Sequence, residues 1–175
     1  EGVGVTIFST EDVVERNKVK EGKKLKTLAS LLFESETKEI SYNKLANKLK
    51  ALGFSISKNT IIEYISMFED AYLFFQNLKF EYSLTKQLGS IKKIYCIDNG
   101  LLNEVSFKFS KDLGKLLENA VFINLKRKNK EAYYHRKNHE CDFIIKEKNK
   151  ITQAIQSSYE LNEDNYNREI NGLLE

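Results

Sequence analysis

The stretch HECDFIIKEKNKITQAIQSS, residues 139–158, decides how the second half of the chain folds. An acid, Asp142, opens the apolar run Phe143-Ile144-Ile145. A charged segment from Lys146 to Lys150 follows, and a second run ends on Gln156-Ser157-Ser158. Two short apolar runs around a charged connection predict a β-hairpin. The question it raises is whether the acid and the amide at its mouth form a site or merely end two strands.

Working outward, Ala132 to Arg136 reads as a strand preceding the hairpin strands Cys141–Lys146 and Ile151–Ser157. Before them, KDLGKLLENAVFINLKRKNKE (111–131) sets Leu113, Leu116, Leu117, Ala120, Val121, Ile123 and Leu125 largely on one side of a long helix. After them, residues 163–174 predict a last helix. The order is α-β-β-β-α, a small α/β unit.

The first half has a different rhythm. Residues 1–9, EGVGVTIFS, carry no clear pattern, whereas TEDVVERNKVK (10–20) starts like a helix, with a cap-type Thr and then acids. Leu25, Leu28, Leu31 and Leu32 make one apolar helical face. Leu45, Leu49 and Leu52 make a second, between Ser41 as cap and Gly53 as stop. Ile61, Ile65 and Phe68 make a third behind Ser57. Two short helices joined through a Gly-containing turn, with one before them, form a helix-turn-helix pattern. Aromatic, β-prone residues 72–83 around an expected Asn77 turn, and the strand KKIYCI (92–97), would add a β-ribbon. The expected fold class is therefore α+β, a winged helix-turn-helix over 1–100 followed by the α/β unit over 101–175.

Composition narrows the classes. With 41% hydrophobic and 30% charged residues in 175, the chain has the make-up of a globular protein of one large or two small domains. No apolar run approaches the ~20 residues of a membrane span, and no secretory leader pattern opens the chain. Cys96 and Cys141 lack metal or redox spacing, which reads as reduced thiols in a cytoplasmic protein. A net charge of +3 is below that of a dedicated nucleic-acid binder, so distribution matters more than total.

The stretches DVVERNKVK, SYNKLANKLKALGFSISKNTIIEYISMFEDAYLFF, KKIYCIDNGLLNEVSFKFSKDLGKLLENAVFINLKR, ECDFII and REINGLLE together resemble the C-terminal half of a family of archaeal and bacterial AAA-type ATPases. The resemblance runs from about residue 11 to the end and implies a winged helix followed by a nuclease-like domain of the PD-(D/E)XK superfamily, which includes the archaeal Holliday-junction resolvases. No G-x-x-x-x-G-K-[ST] occurs, so no ATP site is expected in this chain. Such domains usually continue into more sheet, so the resemblance also implies a domain truncated at its C-terminus. Its unpaired strand edge would favour a homodimer or a protein partner.

That resemblance gives the hairpin its expected chemistry. A phosphodiesterase of this kind needs hard oxygen ligands around Mg²⁺ or Mn²⁺ and a cation near the phosphate. Carried over by residue, Glu118 is the helix acid, Asp142 the strand acid, and Gln156 and Ser158 stand at the E-x-K positions. Glu118 and Asp142 are the implied metal ligands. Gln156 keeps a neutral carbonyl, but Ser158 cannot supply a charge, although Lys126, Lys146 or Lys148 could stand in from elsewhere. The implied catalytic set, Glu118, Asp142 and Gln156, is thus degenerate. Without the resemblance, Asp142 reads as a solvated strand end and Glu118 as a polar helix residue. His135, His139, Cys141 and Asp142 have no second ligand pair, which argues against zinc.

For DNA, the first turn of the recognition helix would offer Lys58, Asn59 and Thr60 to a major groove. Lys92 and Lys93 at the wing, with Lys44, Lys48, Lys50 and Lys86, would meet phosphates. Glu63, Glu69 and Asp70 weaken that field, and winged helices also serve as protein-docking modules. The run KRKNK (126–130) suits a helix C-terminus as well as a phosphate. Three readings follow: a DNA- or partner-binding module with a degenerate nuclease-like site, a Mg²⁺-dependent endonuclease of resolvase type, and a protein-interaction or oligomerisation module that binds no DNA.

Overall fold

The computed structural model describes residues 10–17, 21–105 and 112–175; the lead-in of residues 1–9 lies outside them. The architecture is mixed helix and sheet, as the α+β expectation holds at that level. Helix α1 (Thr10–Arg16) and α2 (Gly22–Glu34) lead into β1 (Glu39–Ile40), α3 (Tyr42–Ala51) and α4 (Lys58–Asp70). Then come β2 (Phe74–Leu78), α5 (Leu84–Gly89), β3 (Lys92–Cys96) and α6 (Asn99–Val105). Helix α7 (Leu113–Arg127), strands β4 (Glu131–Arg136), β5 (Glu140–Glu147) and β6 (Lys150–Ile155), and α8 (Glu163–Leu174) complete the order. No described helix is long and apolar enough to cross a membrane.

The helices begin and end for local reasons. Ser57 accepts the Thr60 N–H at 3.1 Å, closing the first turn of α4. Gly53 ends the α3 region at φ +86°, a conformation that costs a glycine nothing. Asn162 and Asn165 exchange side-chain bonds with each other's backbone at the start of α8.

Two three-stranded antiparallel sheets result, in the orders β1-β3-β2 and β4-β5-β6. They meet where the chain leaving β2 bridges β4, with the Phe80 N–H donating to the Tyr134 carbonyl at 2.7 Å. The larger core joins α1 to α4 with one side of the first sheet, around Leu25, Leu32, Phe68 and Phe74. The smaller core holds Tyr95, Phe122, Phe143 and Ile145 between α7 and the two sheets.

Strand β3 belongs to both cores. Side chains alternate across a strand, so Ile94 and Cys96 enter the helical core while Tyr95 enters the smaller one, stacked on Phe122 with ring centroids 4.0 Å apart. All five residues of β3 are buried. Residues 92–97 form the expected strand, but its burial differs from a wing whose Lys92 and Lys93 would meet phosphates. Asn77 does not turn the chain either. It lies inside β2, buried, opposite Lys93 in the ladder, and α5 occupies the connection to β3. Propensity favours Asn in turns, but here the strand pairing decides.

Helix α8 reaches β5 because residue 172 is glycine. A Cβ there would lie 2.0 Å from the Glu140 carbonyl oxygen. A Gly172→Ala variant is expected to push α8 off β5 and to lose about 1–3 kcal/mol of stability, read as a lower urea midpoint with an unchanged m-value.

Candidate functional site

At the junction of the two sheets, one ammonium sits among three carboxylates. Lys93 Nζ from β3 lies 2.9 Å from Glu118 Oε1, 2.5 Å from Glu140 Oε1 and 3.4 Å from Asp142 Oδ1. Glu140 and Asp142 are two apart on β5 and therefore share a face, while Glu118 comes from α7. The Tyr95 hydroxyl, two residues along β3 from Lys93, donates to the same Glu118 oxygen at 2.8 Å. Lys93 is 2% exposed and Asp142 5%.

Each group is held by its element. Asn119, next to Glu118, fastens α7 to the end of β3. Its side-chain oxygen accepts the Cys96 N–H and its amide donates to the Cys96 carbonyl, both at 2.9 Å. Asp142 Oδ2 accepts the Ser157 N–H at 2.8 Å, fixing the second carboxylate oxygen away from Lys93. Gln156 Oε1 accepts the Asp142 N–H at 3.2 Å, and its Nε2 donates to Glu169 Oε2 at 2.6 Å. The amide is thus spent tying β6 to β5 and α8. Ser158 Oγ turns away and donates to the Glu160 carbonyl.

The electrostatics follow from burial and from the pairs. Burial alone would disfavour the Lys93 ammonium, but Glu118, Asp142 and Glu140 outweigh it and raise its pKa. Burial lifts the Glu118 carboxyl to about 7; Lys93 pulls it down and Asp142 pushes it up. Asp142 is raised by burial too, against the pull of Lys93 and the Ser157 N–H. Burial and then Glu118 hold the Tyr95 hydroxyl firmly protonated. Arg136 Nη1 also reaches Glu140 Oε2 at 3.5 Å, so the uncompensated negative charge falls on the buried Glu118 and Asp142, and Glu118 is the member placed to relieve it by taking a proton near neutrality.

The structure brings Glu118 and Asp142 together as expected, with Gln156 beside them but aimed at Glu169. Asp142 is not a solvated strand end. Lys92 and Lys93 stand elsewhere than a phosphate-contacting wing would put them: both are buried. The Lys92 ammonium donates to the Leu88 and Ser90 carbonyls at 2.9 and 2.8 Å. Lys58 and Asn59 are exposed on the first turn of α4, while the Thr60 hydroxyl is engaged with Ser57 at 2.9 Å. Sequence reasoning missed Lys93 as the site's centre, together with Tyr95, Asn119, Glu140, Ser157 and Glu169. The E-C-D spacing at 140–142 was a usable signal for Glu140, and K-x-Y at 93–95 one for a shared strand face. Nothing in spacing joins β3 to β5.

These residues do not fit a Mg²⁺ ion as arranged. The carboxylate oxygens turn to an ammonium that already occupies their point of convergence, and among the described residues no group of three or more His, Cys, Asp or Glu is arranged to hold a metal.

A family described as Domain of unknown function (DUF8612) matches residues 8–112. An uncharacterized protein of Methanocaldococcus jannaschii is 44% identical over 164 residues, covering 91% of this chain and 36% of its own length. An uncharacterized protein of Haemophilus influenzae is 26% identical over 156 residues, covering 89% of this chain and 39% of its own. The chain thus spans somewhat over a third of the curated relatives it matches. No solved structure matches it.

Lys93→Met leaves the buried carboxylates without their cation, and about 3–5 kcal/mol of stability is expected to go with it. Glu118 has a folded-state pKa raised above its unfolded value. It therefore destabilises the fold as pH rises from about 4.5 through about 7, and protonation on the acid side removes that cost. Without Lys93 this window shifts upward. Urea unfolding is accordingly expected to show the largest gap between variant and wild type at pH 8 and the smallest at pH 5.

Proposed function

The chain belongs to the DUF8612 family, and we propose that it is a DNA- or partner-binding module, the C-terminal portion of an AAA-type ATPase, whose nuclease-like site has been converted to a structural ion cluster. The observation that carries this reading is the Lys93 ammonium held between Glu118, Glu140 and Asp142. A phosphodiesterase keeps its carboxylates for a divalent cation; here a fixed cation of the protein takes them. Gln156, the residue at the position of the second strand acid, serves packing instead.

Two features of the fold support the domain assignment. The order α2-β1-α3-α4-β2-α5-β3, with β3 between β1 and β2, supports the winged helix-turn-helix reading, with α5 inserted where a simple wing would turn. The order α7-β4-β5-β6-α8, with an acid on the helix and another on β5, suits a PD-(D/E)XK-like unit. Lys58 and Asn59 at the exposed start of α4, and exposed Lys44, Lys48 and Lys50 on α3, support DNA as the partner.

One observation favours the endonuclease as a second reading. Lys93 lies within ion-pair range of both Glu118 and Asp142, so a cation stands beside the two acids that the resemblance places at the site. In that case Lys93 supplies from β3 the charge that Ser158 lacks.

Fluorescence anisotropy on duplex and four-way-junction DNA, at two salt concentrations with Mn²⁺ present, separates the readings when the same tubes are run on a gel. The expected result is salt-sensitive binding of uncut DNA, weakened in Lys58→Glu. A cut product abolished by Asp142→Asn would establish the endonuclease instead. Absence of binding at low salt would leave the protein-docking reading.

A further inference from the structure

The basic run KRKNK at 126–130 borders a second place where chemistry gathers, at the C-terminal end of α7. A cleft of about 520 Å³ is lined by Tyr72, Phe75, Ile97 and Ile123, with Lys126 and Arg127 at its rim; the Glu131 carboxylate also lines it and is paired with Lys146 at 3.6 Å. The Tyr72 ring meets Phe75 edge-on at 6.2 Å, and Lys126 Nζ stands over the Phe75 ring at 5.5 Å. Lys126, Arg127 and Lys128 are exposed and have no carboxylate within ion-pair range among the described residues; Lys130 pairs with Glu147.

Tyr72 is the informative residue. It follows the last turn of α4 at φ +57°, where its N–H bonds to the Glu69 carbonyl and Leu73 N–H to that of Phe68. This is the left-handed closing position at which helices favour glycine, and a bulky side chain there is a conformational cost. The ring does not offset that cost by burial, because it is 68% exposed. A strained backbone carrying an exposed aromatic ring beside unpaired cations fits a ligand with a flat face and negative charge.

We propose that this cleft binds single-stranded nucleic acid, an unstacked base lying on Tyr72 and the flanking phosphates meeting Lys126, Arg127 and Lys128. Aromatic platforms beside cations bind single strands with little sequence preference. A duplex keeps its base faces covered, so the rings select against it. Cations at a helix C-terminus also complement its dipole, but that role asks nothing of Tyr72. Glu118, Phe122 and Lys126 are spaced four apart on α7, so the cleft lies about 12 Å along one helix face from the ion cluster. It is about 20 Å, the length of α4, from Lys58 and Asn59. The inference extends the nucleic-acid reading above but rests on separate residues.

The test uses a labelled thymidine 20-mer at low salt. The chain has no tryptophan, so Tyr72→Trp places a sole indole in the cleft. Its fluorescence is expected to be quenched as the oligonucleotide binds. Tyr72→Gly is expected to weaken binding about tenfold while melting at or above the wild-type temperature, since glycine relieves the backbone. That pairing of changes would not arise from mere structural damage. Arg127→Glu with Lys128→Glu is expected to weaken binding further and to flatten its salt dependence. The proposal is overturned if the 20-mer does not bind, if Tyr72→Gly binds it as wild type does, or if poly-glutamate displaces it with no quenching of the indole, which would mark a site for an acidic protein. Duplex binding without binding of the 20-mer would sink this inference and leave the proposed function standing.

Discussion

An ammonium taken out of water must be matched by charges in the same place, and the Lys93 ammonium draws three distant parts of the chain to one point. Residues 93, 118 and 140–142 converge there from two strands and a helix. The desolvation of such a cluster is of the same order as its mutual attraction. The cluster therefore specifies an arrangement more than it stabilises one. What it specifies is the angle and register at which α7 and β5 lie against the first sheet.

Strand β3 makes that possible. Its even-numbered residues Ile94 and Cys96 complete the helical core, and its odd-numbered residues Lys93 and Tyr95 complete the other side. Asn119 then caps the arrangement by bonding both backbone groups of Cys96 as a neighbouring strand would. A helix and a strand end are joined through one amide, on the residue next to the Glu118 that holds Lys93. The tie and the charge cluster reinforce each other, and Gly172 and Gln156 bring α8 in behind β5 to close the far side.

Much of this was legible in the sequence where the signal is local. The leucine face of α2, Leu45 and Leu49 on α3, Gly53 after α3, Ser57 before α4, and the three strands after α7 all follow from periodicity and capping within one segment, whereas Leu52, expected on the α3 face, follows the helix and is 58% exposed. Asp142 and Glu118 came from the resemblance and do meet in space. The illegible part is non-local. Asn77 reads as a turn residue and sits mid-strand because β2 pairs along its whole length with β3. Lys92 and Lys93 read as solvated cations, since a lysine pair carries no mark of what lies opposite it. Helices α5 and α6 have six and seven residues, fewer than two turns, so periodicity cannot mark them. Burial of β3 on both sides is a property of the assembled halves, visible in neither alone.

The double coverage of β3 also has a consequence in time. During synthesis the strand emerges well before its partners: Glu118 follows Lys93 by 25 residues and Asp142 by 49. Until β5 has left the ribosome, the helical core can close over Ile94 and Cys96, but the other side of the sheet shows water a lysine and a tyrosine. That face carries an ammonium and a hydroxyl beside the rings of Tyr95 and its ladder neighbour Phe75, so the half-made sheet is only partly hydrocarbon. The lysine that orders the finished protein is thus also the charge that its unfinished form shows to water.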